Sequence, residues 1–165
     1  MLTILNEQDA KQYWELRLEA LKKAPNAFLT TYEEALQKEN PIEQTAKQLS
    51  SESSITFGAF DEDQLVGMAT LLFPSKEKEK HKAFLVAMYV KQEYRKKGIG
   101  KQLIMKVIQT ARRAKIEQLQ LSVVANNESA IRLYQSIGFE SYGTEKRAIK
   151  SGSDYFDEEL MVLFL

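Results

Sequence analysis

Apolar residues in the first third of the chain recur with the spacing of helices. Leu2 to Leu5 is a short apolar run that predicts a first strand, and Asn6 after it is a typical helix cap. Apolar side chains then recur every three or four residues until Pro25, which predicts one helix with the face Ala10, Tyr13, Trp14, Leu18 and Leu21. The polar stretch 26–52 contains a second predicted helix, near 42–49, with Pro41 at its start.

The pattern changes to that of strands in the middle of the chain. Two apolar runs, 55–60 and 65–73, are separated by Asp61-Glu62-Asp63, which predicts an antiparallel hairpin. The stretch 74–82 is a charged loop. Ala83 to Val90 is apolar without interruption, which predicts a strand that is buried on both faces.

The second half alternates between helical and strand patterns. A long helical stripe over 98–115 is followed by a strand over 119–125, a short helix over 127–137 ending at Gly138, and two strands over 140–149 and 155–165. The segment 83–125 is a βαβ unit, so its two strands should be parallel. We expect one domain over 1–165 of the α/β class, α+β-like, with a mixed, mostly antiparallel sheet of about seven strands, one parallel crossover and about four helices.

Composition narrows the classes of partner. The 165 residues carry 23 basic and 23 acidic side chains, so the formal net charge is zero and nothing favours nucleic acid or an anionic membrane as a partner. The chain contains no cysteine, which excludes a disulfide framework, a thiolate metal site and a cysteine nucleophile. With no secretory signal, no apolar membrane span and no metal motif, we expect a cytoplasmic protein without a metal.

A basic, glycine-containing loop lies between the apolar strand and the long helix. Its sequence is Arg95-Lys96-Lys97-Gly98-Ile99-Gly100. The first N–H groups of a helix have no partner within it and carry partial positive charge, so this position favours a phosphate group. Glycines let a bulky phosphate approach the backbone. The alternative is a solvated turn, while P-loop and dinucleotide patterns are both excluded, the second because residue 103 is leucine.

A second motif follows about 30 residues later and makes the pattern specific. Asn127 to Phe139 has the form Asn-x-x-Ala-x-x-Leu-Tyr-x-x-x-Gly-Phe. An Arg-x-x-Gly-x-Gly loop after a buried strand, followed by this second motif, resembles the GNAT superfamily of N-acetyltransferases. The resemblance is strongest over 83–139, and the order of the flanking elements agrees with it.

The resemblance implies a site for acetyl-CoA as cosubstrate. Met88-Tyr89-Val90 matches the segment whose backbone pairs with the pantetheine amides, and Arg95-Lys96-Lys97-Gly98-Ile99-Gly100 matches the pyrophosphate cradle. Asn127 matches the asparagine that holds the pantetheine arm, and Tyr134 matches the tyrosine that protonates the departing thiolate. Both have structural alternatives: Asn127 could be only a helix cap, and Tyr134 only a core residue.

The implied reaction is direct attack of an amine on the thioester, and it needs a proton acceptor. Deprotonating a lysine-like amine at pH 7 costs roughly 4–5 kcal/mol. Family members often carry a glutamate on the buried strand, but 83–90 contains none. The alternative proton acceptors are water, Ser122, His81, and the pair Glu33 and Glu34. His81 could equally be an exposed loop residue, and the two glutamates could belong to a solvated helix face.

The acceptor is less defined than the cofactor. The resemblance implies a groove lined by 26–36, 81–87 and 147–155, where Phe28, Tyr32 and Tyr155 could form apolar walls. Acidic residues could favour a cationic acceptor such as a polyamine, an aminoglycoside or an amine of a protein: Glu33, Glu34, Asp154, Asp157, Glu158 and Glu159. The alternative for 157–159 is a charged edge strand that prevents aggregation.

Three functions are compatible with these motifs. The first is an N-acetyltransferase acting on a primary amine of a small molecule or a protein in a ternary complex. The second is a non-catalytic module that binds CoA or acyl-CoA, and the third is a nucleotide-binding regulator. The sequence leaves the acyl chain length and the oligomeric state open, with a homodimer as one alternative.

Overall fold

Seven strands form one mixed sheet with helices on both faces, in a computed structural model that describes residues 1–165. The elements in chain order are β1 (Leu2–Ile4), α1 (Ala10–Lys23), α2 (Tyr32–Leu36), α3 (Pro41–Leu49), β2 (Ser54–Asp61), β3 (Gln64–Leu72), β4 (Lys82–Val90), α4 (Ile99–Arg113), β5 (Gln118–Val124), α5 (Glu128–Ile137), β6 (Glu140–Ser151) and β7 (Asp154–Phe164). The fold class, the mixed sheet and its single parallel pair are confirmed.

Local signals account for most element boundaries. The Asn6 side chain accepts a hydrogen bond from the Gln8 amide and caps a single 3₁₀ turn that leads into α1. Gly138 ends α5 in the left-handed conformation at φ 115°, as predicted for a C-cap. The short helix α2 is an addition to the four expected helices, and it begins at a capping box between Thr31 and Glu34.

The sheet order is β1-β2-β3-β4-β5-β7-β6, so β7 lies between β5 and β6. Every pair of neighbours is antiparallel except β4 and β5. The interpretation of 157–159 as a charged edge strand is therefore wrong, because β7 has a hydrogen-bonded neighbour on each side. The edges of the sheet are β1 and β6.

The main core lies between the sheet and α4. The helix buries one complete face: Leu103, Ile104, Val107, Ile108 and Ala111. Burying each of the larger side chains contributes about 1.5–3 kcal/mol, which fixes α4 and the loop before it against the sheet. A smaller cluster joins α1 to the opposite face through Tyr13, Leu16 and Ala20 with Met68 and Tyr89. None of the helices is long and apolar enough to cross a membrane.

The strand β4 departs from its predicted environment. Val86 is 38% exposed, and Ala87 and Met88 are only partly buried, so the prediction of burial on both faces is wrong for this segment. The reason is that β4 and β5 pair only at their beginnings, where Lys82 to Phe84 face Gln118 to Gln120. Beyond that point the two strands separate, and the backbone of β4 that faces β5 has no sheet partner.

Candidate functional site

The opening between β4 and β5 is the centre of the candidate site, and we call it the split. Its floor is formed by the main core, where Tyr134 packs in the same cluster as Leu85 and Val90 of β4 and Leu121 and Val123 of β5. Inside a sheet, the backbone N–H and C=O groups on both edges of a strand normally form hydrogen bonds with neighbouring strands. A segment that lacks a partner on one side, beside an opening, can accept another extended chain there.

A bulge in β4 shapes one wall of the split. Val86 pairs with Thr70 and Tyr89 pairs with Met68, so β4 has one residue more than β3 in this interval. Ala87 takes up the extra residue in the left-handed region at φ 52°, which is unfavourable for a residue with a side chain. Alanine gives no turn signal, so this feature could not be predicted from the sequence.

The loop that follows β4 ends at an uncapped helix terminus. Gly98 lies in the left-handed region at φ 82°, and no side chain caps α4 there. A Cβ atom on Gly100 would lie 3.3 Å from Met88 Cε and 3.5 Å from Leu133 Cδ2. The first turn of α4 therefore meets β4 and α5 closely, and its free N–H groups are available to an anion beside the split.

The basic residues of the loop differ in their surroundings. The Arg95 Nε donates to the carbonyl oxygen of Val90 at 2.9 Å, and its guanidinium lies 5.6 Å from the centre of the Tyr89 ring. Lys97 lies 5.0 Å from the ring centre of Tyr94, whose hydroxyl donates to Asp61. Lys96 is exposed at φ 62°. Arg95 thus shapes the loop, while the lysines remain at its surface.

Asn127 lies just before α5 and Tyr134 lies within it, on the far side of the split. The Asn127 Oδ1 accepts a hydrogen bond from the Ala130 amide at 3.2 Å, so its role as a helix cap is confirmed, and its NH₂ group remains free for a ligand. The Tyr134 ring is buried and meets Phe139 edge to face. Its hydroxyl makes no side-chain hydrogen bond and is not completely buried, so it reaches the opening, while burial raises its pKa to about 12.

Of the predicted acceptor-side residues, those near α1 and α2 are held in place by neighbouring cations. Phe28 is half-buried with the Arg17 guanidinium 6.0 Å from its ring centre, and Tyr32 has the Lys22 ammonium at 5.7 Å. The single turn Pro25–Ala27 before Phe28 packs against β5, which brings this segment towards the split. Glu33 is exposed in the first turn of α2.

His81 and Tyr155 lie farther from the opening. The carbonyl oxygen of His81 accepts from the amides of Glu117 and Gln118 at the closed end of the β4–β5 pair. Val86 lies five residue steps further along the chain, a span of about 16 Å in a strand. Tyr155 is 49% exposed near the β6–β7 turn, with Arg147 and Lys150 against its ring. The structure does not bring His81 and Tyr155 together.

Three consecutive acids of β7 have different environments. Asp157 accepts from the Arg147 amide and from Lys146, and Glu159 accepts from Ser141 and Thr144. These contacts lower the pKa of both carboxyls. Glu158 has no such partner, and burial, together with the facing Glu145, raises its pKa.

Glu158 also faces the other side of the sheet. It pairs with Val124, whereas Leu121 and Val123 of β5 face α4. Neighbouring strand residues point to opposite faces, and paired residues share one. Glu158 therefore points to the face that carries α1, near the open end of β5, and its lack of a partner is not visible in the sequence.

Known proteins resemble the chain along nearly its whole length. The family described as "Acetyltransferase (GNAT) domain" matches residues 2–160. Spermine/spermidine N(1)-acetyltransferase of Bacillus subtilis (strain 168) is 36% identical over 90 residues, which are 52% of this chain and 59% of that enzyme. The matched segment is thus less than two thirds of that relative's length.

Solved structures extend the similarity to the entire fold. A probable acetyltransferase from Staphylococcus epidermidis ATCC 12228 is 31% identical, with a TM-score of 0.81 over 99% of this chain and 98% of that one. The putative acetyltransferase yncA of Salmonella typhimurium, solved with its cofactor acetyl-CoA, has a TM-score of 0.86 at 17% identity over 100% of this chain and 93% of that one. The chain belongs to the GNAT family of acetyltransferases, whose cosubstrate is acetyl-CoA.

Proposed function

We propose that the protein transfers an acetyl group from acetyl-CoA to a primary amine of a small molecule or a protein, by direct attack in a ternary complex. The observation that carries this proposal is the split itself, with a free β4 backbone on one wall and the unpaired Tyr134 hydroxyl at its floor. An extended amide-containing arm fits the free strand edge, and the hydroxyl is a proton donor inside the opening.

The geometry of the split supports the cofactor-binding residues that the resemblance implies. The backbone of Met88, Tyr89 and Val90 would pair with the pantetheine amides as a short added strand. The N–H groups of Gly98, Ile99 and Gly100 would bind the pyrophosphate, with Lys96 and Lys97 adding charge at the rim and Arg95 holding the loop. The free NH₂ group of Asn127 would hold the pantetheine arm from the opposite wall.

Tyr134 would protonate the departing thiolate. The amine nitrogen forms a bond to the thioester carbonyl carbon, the carbon–sulfur bond breaks, and the sulfur takes the Tyr134 proton, which solvent then replaces. With a pKa of about 12 the hydroxyl stays protonated at neutral pH, so it can always donate. A thiolate in the same apolar surroundings is destabilised by lost hydration as well, which raises the pKa of the thiol and favours its protonation.

The proton that the acceptor amine loses needs a route on the face that carries α1. Ser122 is exposed on that face of β5, and Glu158 lies one strand away, opposite Val124. The raised pKa of Glu158 makes it a better base than an ordinary surface glutamate. We infer that water removes the proton and passes it towards Glu158, since no carboxylate lies on β4 itself.

A cationic acceptor fits the environment of Glu158. Glu158 and Glu145 face each other across β6 and β7, and like charges at paired positions repel. An ammonium group between them would relieve this repulsion. A polyamine offers one amine for the reaction and a second ammonium for these carboxylates, in keeping with the spermine/spermidine activity named for the Bacillus subtilis relative.

The test is the release of free CoA thiol from acetyl-CoA in the presence of an amine panel, with product masses determined. The panel should include spermidine, spermine, a monoamine of similar length, a lysine peptide and a peptide with a free N-terminus. Steady thiol release with an acetylated product supports the proposal. Binding of acetyl-CoA without release for any amine would instead support the non-catalytic binding module.

A further inference from the structure

Glu19 of α1 is a hydrogen-bonding centre that no motif indicates. The Tyr89 hydroxyl donates to Glu19 Oε1 at 3.3 Å, and the Lys91 ammonium lies 3.7 Å from Glu19 Oε2. Lys23, one turn later in the same helix, reaches Oε1 at 3.4 Å from the solvent side. The side chains of Glu19 and Lys91 are only 23% and 13% exposed, so these contacts are largely shielded from water.

The two residues that contact Glu19 lie on either side of the last residue of β4. Tyr89 and Lys91 are the neighbours of Val90, the last residue of the strand. The Val90 carbonyl is bound by Arg95, and the Arg95 guanidinium lies over the Tyr89 ring. One carboxylate on α1 therefore fixes both sides of the place where the strand becomes the phosphate-facing loop.

This part of β4 needs such an anchor. The bulge at Ala87 has an unfavourable left-handed backbone, and a strained backbone persists only where its surroundings hold it. Before the bulge, pairing with β3 and the short parallel pair with β5 fix the strand. After the bulge β4 keeps only β3 as a sheet partner, through Tyr89 and Val90, and the buried Tyr89 is the side chain that ties this one-sided segment to α1.

We propose that Glu19 is a positioning residue for acetyl-CoA: through Tyr89 and Lys91 it holds the end of β4 in the conformation that the cofactor requires. This rests on the proposed binding of acetyl-CoA in the split. Glu19 would act through these two residues, without contacting the reacting atoms or the cofactor. Its loss should therefore weaken cofactor binding while leaving the rate at saturation nearly unchanged.

The experiment measures acetyl-CoA binding by isothermal titration, with kcat determined at saturating acetyl-CoA. For Glu19→Ala we expect the Kd to rise about tenfold, as for the loss of a charge-assisted hydrogen bond that preorganises a site. Glu19→Gln keeps a hydrogen-bond acceptor for Tyr89 and should show a smaller rise. Tyr89→Phe should also weaken binding, and combining it with Glu19→Ala should give less than the product of the two single effects.

Lys23→Gln is the matched control, because it removes the exposed partner of Glu19 without touching β4, and its Kd should equal that of the wild type. Equal Kd values for wild type, Glu19→Gln and Tyr89→Phe would overturn the proposal even if Glu19→Ala failed to fold. A fall in kcat at saturation equal to the rise in Kd would overturn it as well. Absence of acetyl-CoA binding by the wild type would instead contradict the proposed function.

Discussion

The two sides of the split differ in whether backbone or side chains form the site. On the proposed cofactor side, the features that matter belong to the backbone: the free edge of β4, the uncapped start of α4 and the close approach at Gly100. On the proposed acceptor side they are side chains from distant parts of the chain, such as Phe28 after α1 and Glu158 in β7. A backbone site suits a cosubstrate common to a family, whereas a side-chain site can change with the acceptor.

The two sides also differ in their use of charge. The loop before α4 surrounds a helix terminus with cations, and two of its basic groups lie against aromatic rings of the protein. The acceptor side leaves Glu158 unpaired opposite Glu145. We interpret the first arrangement as a site for an anion of fixed shape and the second as a site for a flexible cation.

The largest expected effect is a test of the backbone side. In Gly100→Val, a branched side chain would be forced against Met88 and Leu133, which narrows the split at the first turn of α4. We expect acetyl-CoA affinity to fall by more than about a thousandfold, or about 4 kcal/mol. The matched control is Gly143→Val in β6, where the nearest atom to an added Cβ is 3.9 Å away, and its affinity should be retained.

The next effect separates chemistry from binding at the floor of the split. Tyr134→Phe keeps the ring and its edge contact with Phe139 but removes the proton donor. We expect kcat to fall about a hundredfold, the usual scale for a general acid, with the acetyl-CoA Kd nearly unchanged. Tyr142→Phe, at an exposed position of β6, is the control. An unchanged kcat in Tyr134→Phe would remove this tyrosine from the mechanism.

The same hydroxyl should be visible in the pH dependence of stability. The pKa of Tyr134 is raised from 10.0 to about 12, so the folded protein holds this proton more tightly than the unfolded chain. Its contribution is fully present below pH 10 and is lost as pH rises from 10 to 12, by up to roughly 2–3 kcal/mol. Thermal melts between pH 9 and 12 should therefore fall more steeply for the wild type than for Tyr134→Phe; parallel curves would contradict this.

A smaller effect tests whether Glu158 on the proposed acceptor side recognises a cationic acceptor. Glu158→Gln should lower kcat/KM for spermidine about tenfold, since one ion pair with the second ammonium is lost, while a monoamine should be affected less. Glu159→Gln is the control, because Glu159 is bound to Ser141 and Thr144 on the other face. An equal loss for polyamine and monoamine would place Glu158 in proton removal and not in recognition.

The smallest effect concerns stability at the same position. Burial, and to a smaller extent the facing Glu145, raises the pKa of Glu158, so its ionisation disfavours the folded state. The wild type should lose stability as pH rises through this raised pKa, and Glu158→Gln should not. After allowance for solvent screening, the two proteins should differ by no more than about 0.5 kcal/mol in how their free energy of unfolding changes with pH. Chemical denaturation of both proteins at pH 4 and pH 7 measures this difference.

The fold could be predicted well because its signals are local. The stripe of α4, the alternation of Leu119, Leu121 and Val123, and the cap at Gly138 each depend on nearby residues. The βαβ unit then gave the parallel pair. The position of β7 inside the sheet depends on pairing between distant segments, so no local pattern could show it.

The candidate site was predictable to a different extent on each side. Two motifs mark the cofactor loop and α5, because a helix terminus and its glycines are contiguous in sequence. Glu19 and Glu158 carry no motif, since the first matters through Tyr89 and Lys91, and the second through the absence of a partner. The bulge at Ala87 was missed for the same reason: its φ of 52° follows from the mismatch with β3.

The most direct test of the split as a cofactor site is titration of acetyl-CoA into the wild-type protein, in parallel with free CoA and ATP. If the split is the cofactor site, we expect one site per chain that binds acetyl-CoA and CoA, with ATP at least about tenfold weaker because it lacks a pantetheine arm for the β4 edge. No heat of binding at hundred-micromolar protein, or a preference for ATP, would contradict the assignment of the split as the cofactor site.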